Sequence, residues 1–176
     1  WKIVKIIIEF MKLSIIVCVY NEVKTISKIL EKIDLVQLPY NYEKEIIIID
    51  NNSYDGTKEY LQELVDLNKY QIFFQKENLG KGNSIIKGIN CASGDLIVFQ
   101  DADLEYEPDN YIELITYLKK NNLDAVFGSR IKHHKDETIV NKQRKLSLTI
   151  LLNDKNEYEG GELEFDFKNR PENNIR

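Results

Sequence analysis

Short runs that are almost entirely apolar recur along the first 130 residues, and they constrain the fold more than any other feature. Residues 13–19 form a continuous run rich in β-branched side chains, and residues 46–49 and 96–99 repeat the pattern. Such runs are typical of strands buried on both faces, as in a parallel sheet. Because helical stretches separate them, the sequence predicts an α/β fold with a mainly parallel sheet, flanked by helices and joined by right-handed crossovers.

Amphipathic helices are predicted between these strands from apolar residues spaced at i, i+3, i+4 and i+7. The inward positions are Ile26, Ile29, Leu30 and Ile33, then Leu61, Leu64 and Val65, then Ile85, Ile86 and Ile89, and finally Tyr111, Leu114, Ile115 and Leu118. Asn78 is expected to cap a helix over about 79–92, and Pro108 to open the last one. Shorter strands are predicted at 72–74 and 123–127.

Polar clusters follow three of the predicted strands, at residues 20–22, at Asp50 and at Asp101-Ala102-Asp103. The carboxyl ends of parallel strands share one edge of a sheet, where ligands bind. Two carboxylates one residue apart suit a hard divalent cation that also bridges a diphosphate. Simpler interpretations stay open: the acidic pair could be a solvated turn, Asp50 a helix cap, and Lys81 a solvated lysine.

The composition limits the classes of function. A chain of 176 residues suffices for one domain, and a net charge of −5 argues against a broad nucleic-acid surface. Cys18 and Cys91 have no partner at metal-binding spacing, which indicates buried thiols in a reducing compartment, so we expect a cytoplasmic protein. No apolar run is long enough to span a bilayer.

Together with Gly80-Lys81-Gly82 at a predicted helix start, the order of these motifs resembles the family 2 glycosyltransferases of GT-A fold. The likeness is greatest to the subgroup that includes dolichol-phosphate mannosyltransferases, and it covers residues 12–130. It implies a GT-A-like, Rossmann-like domain that transfers a sugar, with inversion, from a UDP- or GDP-sugar. It also implies an acceptor such as a polyprenyl phosphate or a cell-surface glycan, and thus peripheral contact with a membrane.

The resemblance assigns roles by position. It implies that residues 20–22 hold the nucleotide, that Asp50 contacts its base or ribose, and that Lys81 lies near it. It also implies that Asp101 and Asp103 bind Mg²⁺ or Mn²⁺ and that Arg130 reaches a phosphate. The nucleotide-contacting residues are thus Tyr20, Asn21, Glu22, Asp50, Lys81, Asp101 and Arg130. No residue stands out as a base that activates the acceptor.

The sequence also departs from the family pattern. Cys18 stands where the family often has proline, and Asn51 where it often has a second acid. Because little sequence follows Arg130, we expect a truncated acceptor half and weak transfer. Two alternatives stay open: a non-catalytic nucleotide-sugar-binding domain, and a haloacid dehalogenase-type phosphohydrolase, in which Asp-x-Asp also follows an apolar strand. No Gly-x-Gly-x-x-Gly follows the first strand, which argues against a dinucleotide oxidoreductase.

The two ends of the chain differ from this middle part. Residues 1–10 precede the only methionine and are interpreted as an upstream extension of a domain at 11–130. Residues 131–176 predict a β-hairpin-like tail, with strands at 146–152 and around 163–167, and an end that we expect to be disordered. The tail resembles a fragment of an iron and 2-oxoglutarate dependent dioxygenase of prolyl-hydroxylase type. His134 and Asp136 would supply two iron ligands, but a complete site is not expected.

Overall fold

The computed structural model describes the backbone of residues 11–129 and 146–151 and the side chains of residues 11–126. Strands alternate with helices along the chain, as predicted, and a short 3₁₀ turn lies at Pro39–Asn41. The strands are β1 Lys12–Val19, β2 Glu43–Asp50, β3 Gln71–Phe74, β4 Leu96–Asp101, β5 Ala125–Ser129 and β6 Leu146–Leu151. The helices are α1 Ile26–Leu35, α2 Thr57–Val65, α3 Lys81–Cys91 and α4 Asn110–Asn121.

The strands form one sheet in the order β3-β2-β1-β4-β6-β5. Strands β1 to β4 run parallel to their neighbours, whereas β6 is antiparallel to both β4 and β5. In this register Val19 lies opposite Asp50, and Cys18 lies opposite Asp101. The prediction that the first, second and fourth strands end at one edge of a mainly parallel sheet is confirmed.

The core is built on the central strands. Ile15, Ile16, Ile47 and Ile48 are all fully buried, which is the two-sided burial that the continuous apolar runs predict. Helix α1 buries all four of its predicted inward residues against the sheet. None of the helices in the described ranges is long and apolar enough to cross a bilayer.

Helix α3 packs through small residues, so its predicted apolar stripe is wrong at Ile86, which is 55% exposed. The residues that α3 buries are Ser84 and Gly88. A methyl group at Gly88 would lie 2.4 Å from Cγ2 of Ile16, so the helix backbone approaches β1 too closely for a larger side chain. Counting apolar residues missed this face because close packing selects for small residues as well as for apolar ones.

Several helix boundaries also differ from the predictions. Gly80, with φ +83°, is the N-cap of α3, and Asn78 is not. Helix α4 begins at Asn110, two residues later than Pro108. Pro108 lies in the preceding turn, where its backbone oxygen accepts the Tyr111 N–H. Val65 at the end of α2 is 44% exposed instead of inward. Such shifts arise where turn geometry competes with the helical pattern.

Strand β6 agrees with the strand predicted at 146–152, but it lies in the main sheet, between β4 and β5. Ile97 of β4 pairs with Ile150, and Ile150 also pairs with Ala125 of β5. This part of the predicted tail therefore completes the sheet. The strand predicted around 163–167 and the pair His134 and Asp136 lie outside the described residues.

Candidate functional site

A cavity of about 610 Å³ opens at the carboxyl ends of β1, β2 and β4. Of the residues predicted to form a site, five line it together: Tyr20, Glu22, Lys81, Asp101 and Asp103. Asn21 and Asp50 are sequence neighbours of lining residues but do not line the cavity themselves. Arg130 lies outside the described residues. Sequence reasoning did not assign Cys18, Asn51, Asn78, Ser84 and Tyr106, which also line the cavity.

The two acidic residues at the end of β4 lie in different settings. Asp101 Oδ1 is 2.5 Å from Nζ of Lys81, and the Asp101 side chain is 24% exposed. Asp103 lies in the turn that follows, where its Oδ1 accepts a hydrogen bond from the Glu105 N–H at 3.0 Å. Leu104, the residue after Asp103, has φ +63°, and the chain turns sharply there. Both Asp101 and Asp103 line the same cavity.

A buried glutamine supports this acidic turn from behind. Gln100, which is 1% exposed, donates from Nε2 to the backbone oxygens of Asp101 at 2.9 Å and Tyr106 at 3.2 Å. Its Oε1 accepts a hydrogen bond from the Tyr111 hydroxyl at 2.5 Å, and burial raises the pKa of that hydroxyl. Gln100 thus joins the two ends of the turn from Asp101 to Tyr106 and holds it in place.

The start of α3 faces the acidic residues across the cavity, where Gly80, Lys81 and Ser84 all contribute to the lining. The first backbone N–H groups of a helix have no intrahelical acceptor and carry a partial positive charge. Gly80 has no side chain with which to cap them. Together with the Lys81 ammonium they make this wall of the cavity favourable for an anion.

The loop after β1 is tied to the loop after β2 by hydrogen bonds. The Asn21 N–H donates to Ser53 Oγ at 2.9 Å, and the Glu22 N–H donates to Thr57 Oγ1 at 2.9 Å. In return, Asn21 Oδ1 accepts the Tyr54 N–H at 3.0 Å. The Asn21 side chain therefore joins the two loops, and its predicted contact with a nucleotide stays a prediction.

Two tyrosines meet at the rim of the cavity. Their rings, from Tyr20 and Tyr54, pack edge to face, with centroids 6.1 Å apart and an interplanar angle of 77°. Tyr20 lines the cavity and is 41% exposed. An aromatic face at this position suits stacking against a planar or ring-shaped ligand.

Asp50 and Asn51, adjacent at the end of β2, lie in different surroundings. Asp50 is fully buried, and its Oδ2 accepts the Ser53 N–H at 3.2 Å. Asn51 lines the cavity, donates from Nδ2 to Asn78 Oδ1 at 2.7 Å, and accepts the Leu79 N–H at 3.0 Å. The sequence signal that could have identified Asn51 as a lining residue is its position in a cluster of turn-forming residues directly after a strand. The contact predicted between Asp50 and a nucleotide stays a prediction.

Cys18 lines the cavity and lies opposite Asp101 in the sheet. Burial raises the pKa of its thiol to about 12, an effect that the nearby Lys81 charge reduces and the Asp101 charge reinforces. Burial therefore favours the protonated thiol at neutral pH, so Cys18 is not expected to act as a nucleophile.

The sequence profile described as glycosyl transferase family 2 matches residues 14–170. The chain belongs to this family. The match continues past residue 130, where the likeness read from motifs ended, and includes β6. Family membership confirms the predicted family and decides against the haloacid dehalogenase alternative. The resemblance of residues 131–176 to a dioxygenase stays a prediction.

Curated relatives include polyprenyl-phosphate sugar transferases. Dolichol-phosphate mannosyltransferase of Pyrococcus furiosus is 35% identical over 120 residues, covering 68% of this chain and 33% of that protein. Dodecaprenyl-phosphate galacturonate synthase of Rhizobium johnstonii is 27% identical over 143 residues, covering 77% and 40%. The chain thus spans about a third to two fifths of the length of these relatives.

Solved glycosyltransferase structures share the fold. The mannosyltransferase PcManGT from Pyrobaculum calidifontis, in complex with GDP-Man and Mn²⁺, superposes with a TM-score of 0.61 at 20% identity over 81% of this chain and 45% of its own. S. aureus TarS 1–349 in complex with UDP-GlcNAc gives 0.56 at 22% identity, covering 65% and 33%. The predicted GT-A-like fold is confirmed.

Proposed function

We propose that the cavity binds a nucleoside-diphosphate sugar together with Mg²⁺ or Mn²⁺, as the donor site of an inverting glycosyltransferase. The observation that carries this proposal is the pairing of two carboxylates, Asp101 and Asp103, with the positively charged start of α3 across one cavity. The two carboxylates suit a divalent cation, and the positively charged start of α3 suits a diphosphate. Relatives named for sugar transfer, and a neighbour solved with GDP-Man and Mn²⁺, support the same ligands.

The donor set fits a hard divalent cation. Mg²⁺ and Mn²⁺ prefer oxygen ligands and are commonly held by one or two carboxylates, with substrate phosphate oxygens and water completing the shell. Asp101 and Asp103 would hold the ion here, and the Gln100 hydrogen bonds keep their turn in place. When bound, such an ion offsets the negative charge that develops on the departing diphosphate.

The remaining walls suit the nucleotide. Lys81 and the first N–H groups of α3 face the position where a diphosphate would lie beside the carboxylates. Tyr20 offers a ring at the rim, and Asn51 holds the loop that leads into α3. In the transfer itself, an acceptor oxygen bonds to the anomeric carbon as the bond from that carbon to the diphosphate oxygen breaks, so its configuration inverts.

We further propose a polyprenyl phosphate as the acceptor. The two curated relatives carry names that refer to dolichol phosphate and dodecaprenyl phosphate. A phosphate monoester is already ionised near neutral pH, because its second pKa is about 6. Its oxygen therefore needs no general base to act as the nucleophile. Such an acceptor would bring the protein to a membrane surface, on its cytoplasmic side.

Metal-linked nucleotide binding tests the proposal. UDP and GDP should bind more tightly with Mn²⁺ than with chelator, as measured by calorimetry, and Asp101→Asn with Asp103→Asn should remove the difference. Asp124→Asn, an exposed aspartate outside the cavity lining, is the matched control. Equal binding with and without Mn²⁺ in the unaltered protein would contradict the metal-dependent donor site. Transfer to polyprenyl phosphate is measured separately, so that donor binding without transfer identifies a binding domain.

A further inference from the structure

Lys81 and Asp101 form an ion pair inside the cavity, with Nζ 2.5 Å from Oδ1. Among the ion pairs of the described residues, it is the one in which both partners line the cavity. Asp101 is also the first of the two carboxylates to which we assign the metal ion. The carboxylate that we assign to a divalent cation is therefore also the partner of an ammonium group in this structure.

The pair is arranged so that Lys81 can leave. The lysine side chain is 58% exposed, and exposed ion pairs contribute little net stability. Lysine is a compact charge on a flexible stem, so moving it costs little compared with moving an arginine fork. The backbone beside it is open as well, because an added Cβ at Gly80 or Gly82 would meet nothing within 4 Å.

We propose that Lys81 is a place-holder for the metal ion: it neutralises Asp101 in the free protein and turns to the donor's diphosphate when the ion takes the carboxylate. This rests on the proposed function, because it takes the metal ion and the diphosphate as the ligands of the site. An ammonium and a divalent cation on one carboxylate repel each other. A bound diphosphate gives both cations a negative partner, so ion and nucleotide bind cooperatively and each binds weakly alone.

The first test measures Mn²⁺ binding without nucleotide, by calorimetry or by the loss of free-ion signal in electron paramagnetic resonance. Lys81→Met should bind Mn²⁺ roughly tenfold more tightly than the unaltered protein, because the competing charge is gone. Lys81→Arg keeps that charge and should not. Lys32→Met is the matched control: it removes another exposed pair, with Glu107 at 2.5 Å, outside the cavity lining, and should change nothing.

The second test measures the coupling between Mn²⁺ and GDP or UDP. In the unaltered protein each ligand should strengthen the binding of the other, and in Lys81→Met that mutual gain should shrink, because Mn²⁺ no longer has to displace a cation. Adding Asp101→Asn to Lys81→Met should abolish the tighter Mn²⁺ binding, which assigns the ion to this carboxylate.

The outcomes separate the two proposals. Unchanged or weaker Mn²⁺ binding by Lys81→Met would overturn the place-holder role, whether or not nucleotides bind. Tighter Mn²⁺ binding without reduced coupling would overturn it too, because Lys81 would then have no second partner in the diphosphate. The donor-site proposal instead fails on the unaltered protein, if that protein binds neither nucleotide in the presence of Mn²⁺.

Discussion

Asn51 and Asn78 join the end of β2 to the loop that begins α3, with Nδ2 of Asn51 2.7 Å from Oδ1 of Asn78. Asn78 Oδ1 also accepts the Gly80 N–H, and Asn51 Oδ1 accepts the Leu79 N–H, both at 3.0 Å. The two amides thus hold the backbone immediately before Lys81, the residue on which the anion-binding wall of the cavity depends. Their positions, 27 residues apart, gave no sign of this contact.

Replacing Asn51 with alanine should loosen this loop. The change removes the acceptor of the Leu79 N–H and the donor to Asn78, so we expect the free energy of unfolding to fall by about 1–2 kcal/mol. Denaturation in urea measures the loss, and amide hydrogen exchange should be faster at Leu79. Asn90→Ala, at an exposed site on α3, is the control and should not lower stability, because alanine is the better helix former. Equal losses in the two variants would contradict the proposed link.

Replacing Asp50 with alanine should act on stability first. Its carboxylate is fully buried and accepts the Ser53 N–H, so we expect a loss of about 1–3 kcal/mol when that acceptor is removed. The resemblance to the family predicts the opposite order, with nucleotide affinity falling more than stability. Thermal melts, combined with nucleotide titration well below the melting temperature, distinguish the two roles. Weaker nucleotide binding at an unchanged melting temperature would show that Asp50 reaches the ligand.

Replacing Gly88 with alanine should destabilise the packing of α3 on β1. The added methyl would lie 2.4 Å from Cγ2 of Ile16, and overpacking of this kind costs about 1–3 kcal/mol. Gly82→Ala is the matched control on the same helix, because its methyl meets nothing within 4 Å and should stabilise by up to about 1 kcal/mol. If both variants melt at the same temperature, α3 does not approach the strand as closely as described.

The ionised Glu45 side chain should stabilise the fold, and acid should remove that contribution. Burial alone would raise the pKa of Glu45, but hydrogen bonds from Ser14 and Ser93, with the Lys12 charge, outweigh it and lower that pKa below its ordinary value of 4.5. Because the folded pKa is the lower one, the stabilisation is fully present above pH 4.5 and is lost as the pH falls through the folded value.

The Glu45 prediction is tested with Glu45→Gln, which should be less stable than the unaltered protein at pH 7. The difference between the two proteins should narrow as the pH falls below 4.5, because the unaltered protein then loses the ionised carboxylate. Urea denaturation at several pH values measures both proteins. A difference that stays constant across this pH range would mean that the Glu45 charge does not contribute.

Local patterns in the sequence determined the layout of this protein. Continuous apolar runs identified the buried strands, and the stripe that begins at Ile26 identified the buried face of α1. The turn after residues 96–99 located Asp101 and Asp103 at the sheet edge. These features follow from sequence because they depend on the spacing of neighbouring residues and on the rule that parallel strands end together.

Long-range packing decided the rest. Only the tertiary structure shows that Lys81 reaches Asp101, that Gly88 rather than Ile86 faces the sheet, and that β6 lies between β4 and β5. It also places Asn51 in the cavity lining and Asp50 in the interior. Adjacent residues at a strand end point in different directions, so a shift of one position exchanges the buried and the ligand-facing side chain. Which of the two faces the cavity depends on contacts with residues that are distant in sequence, and no local pattern encodes those contacts.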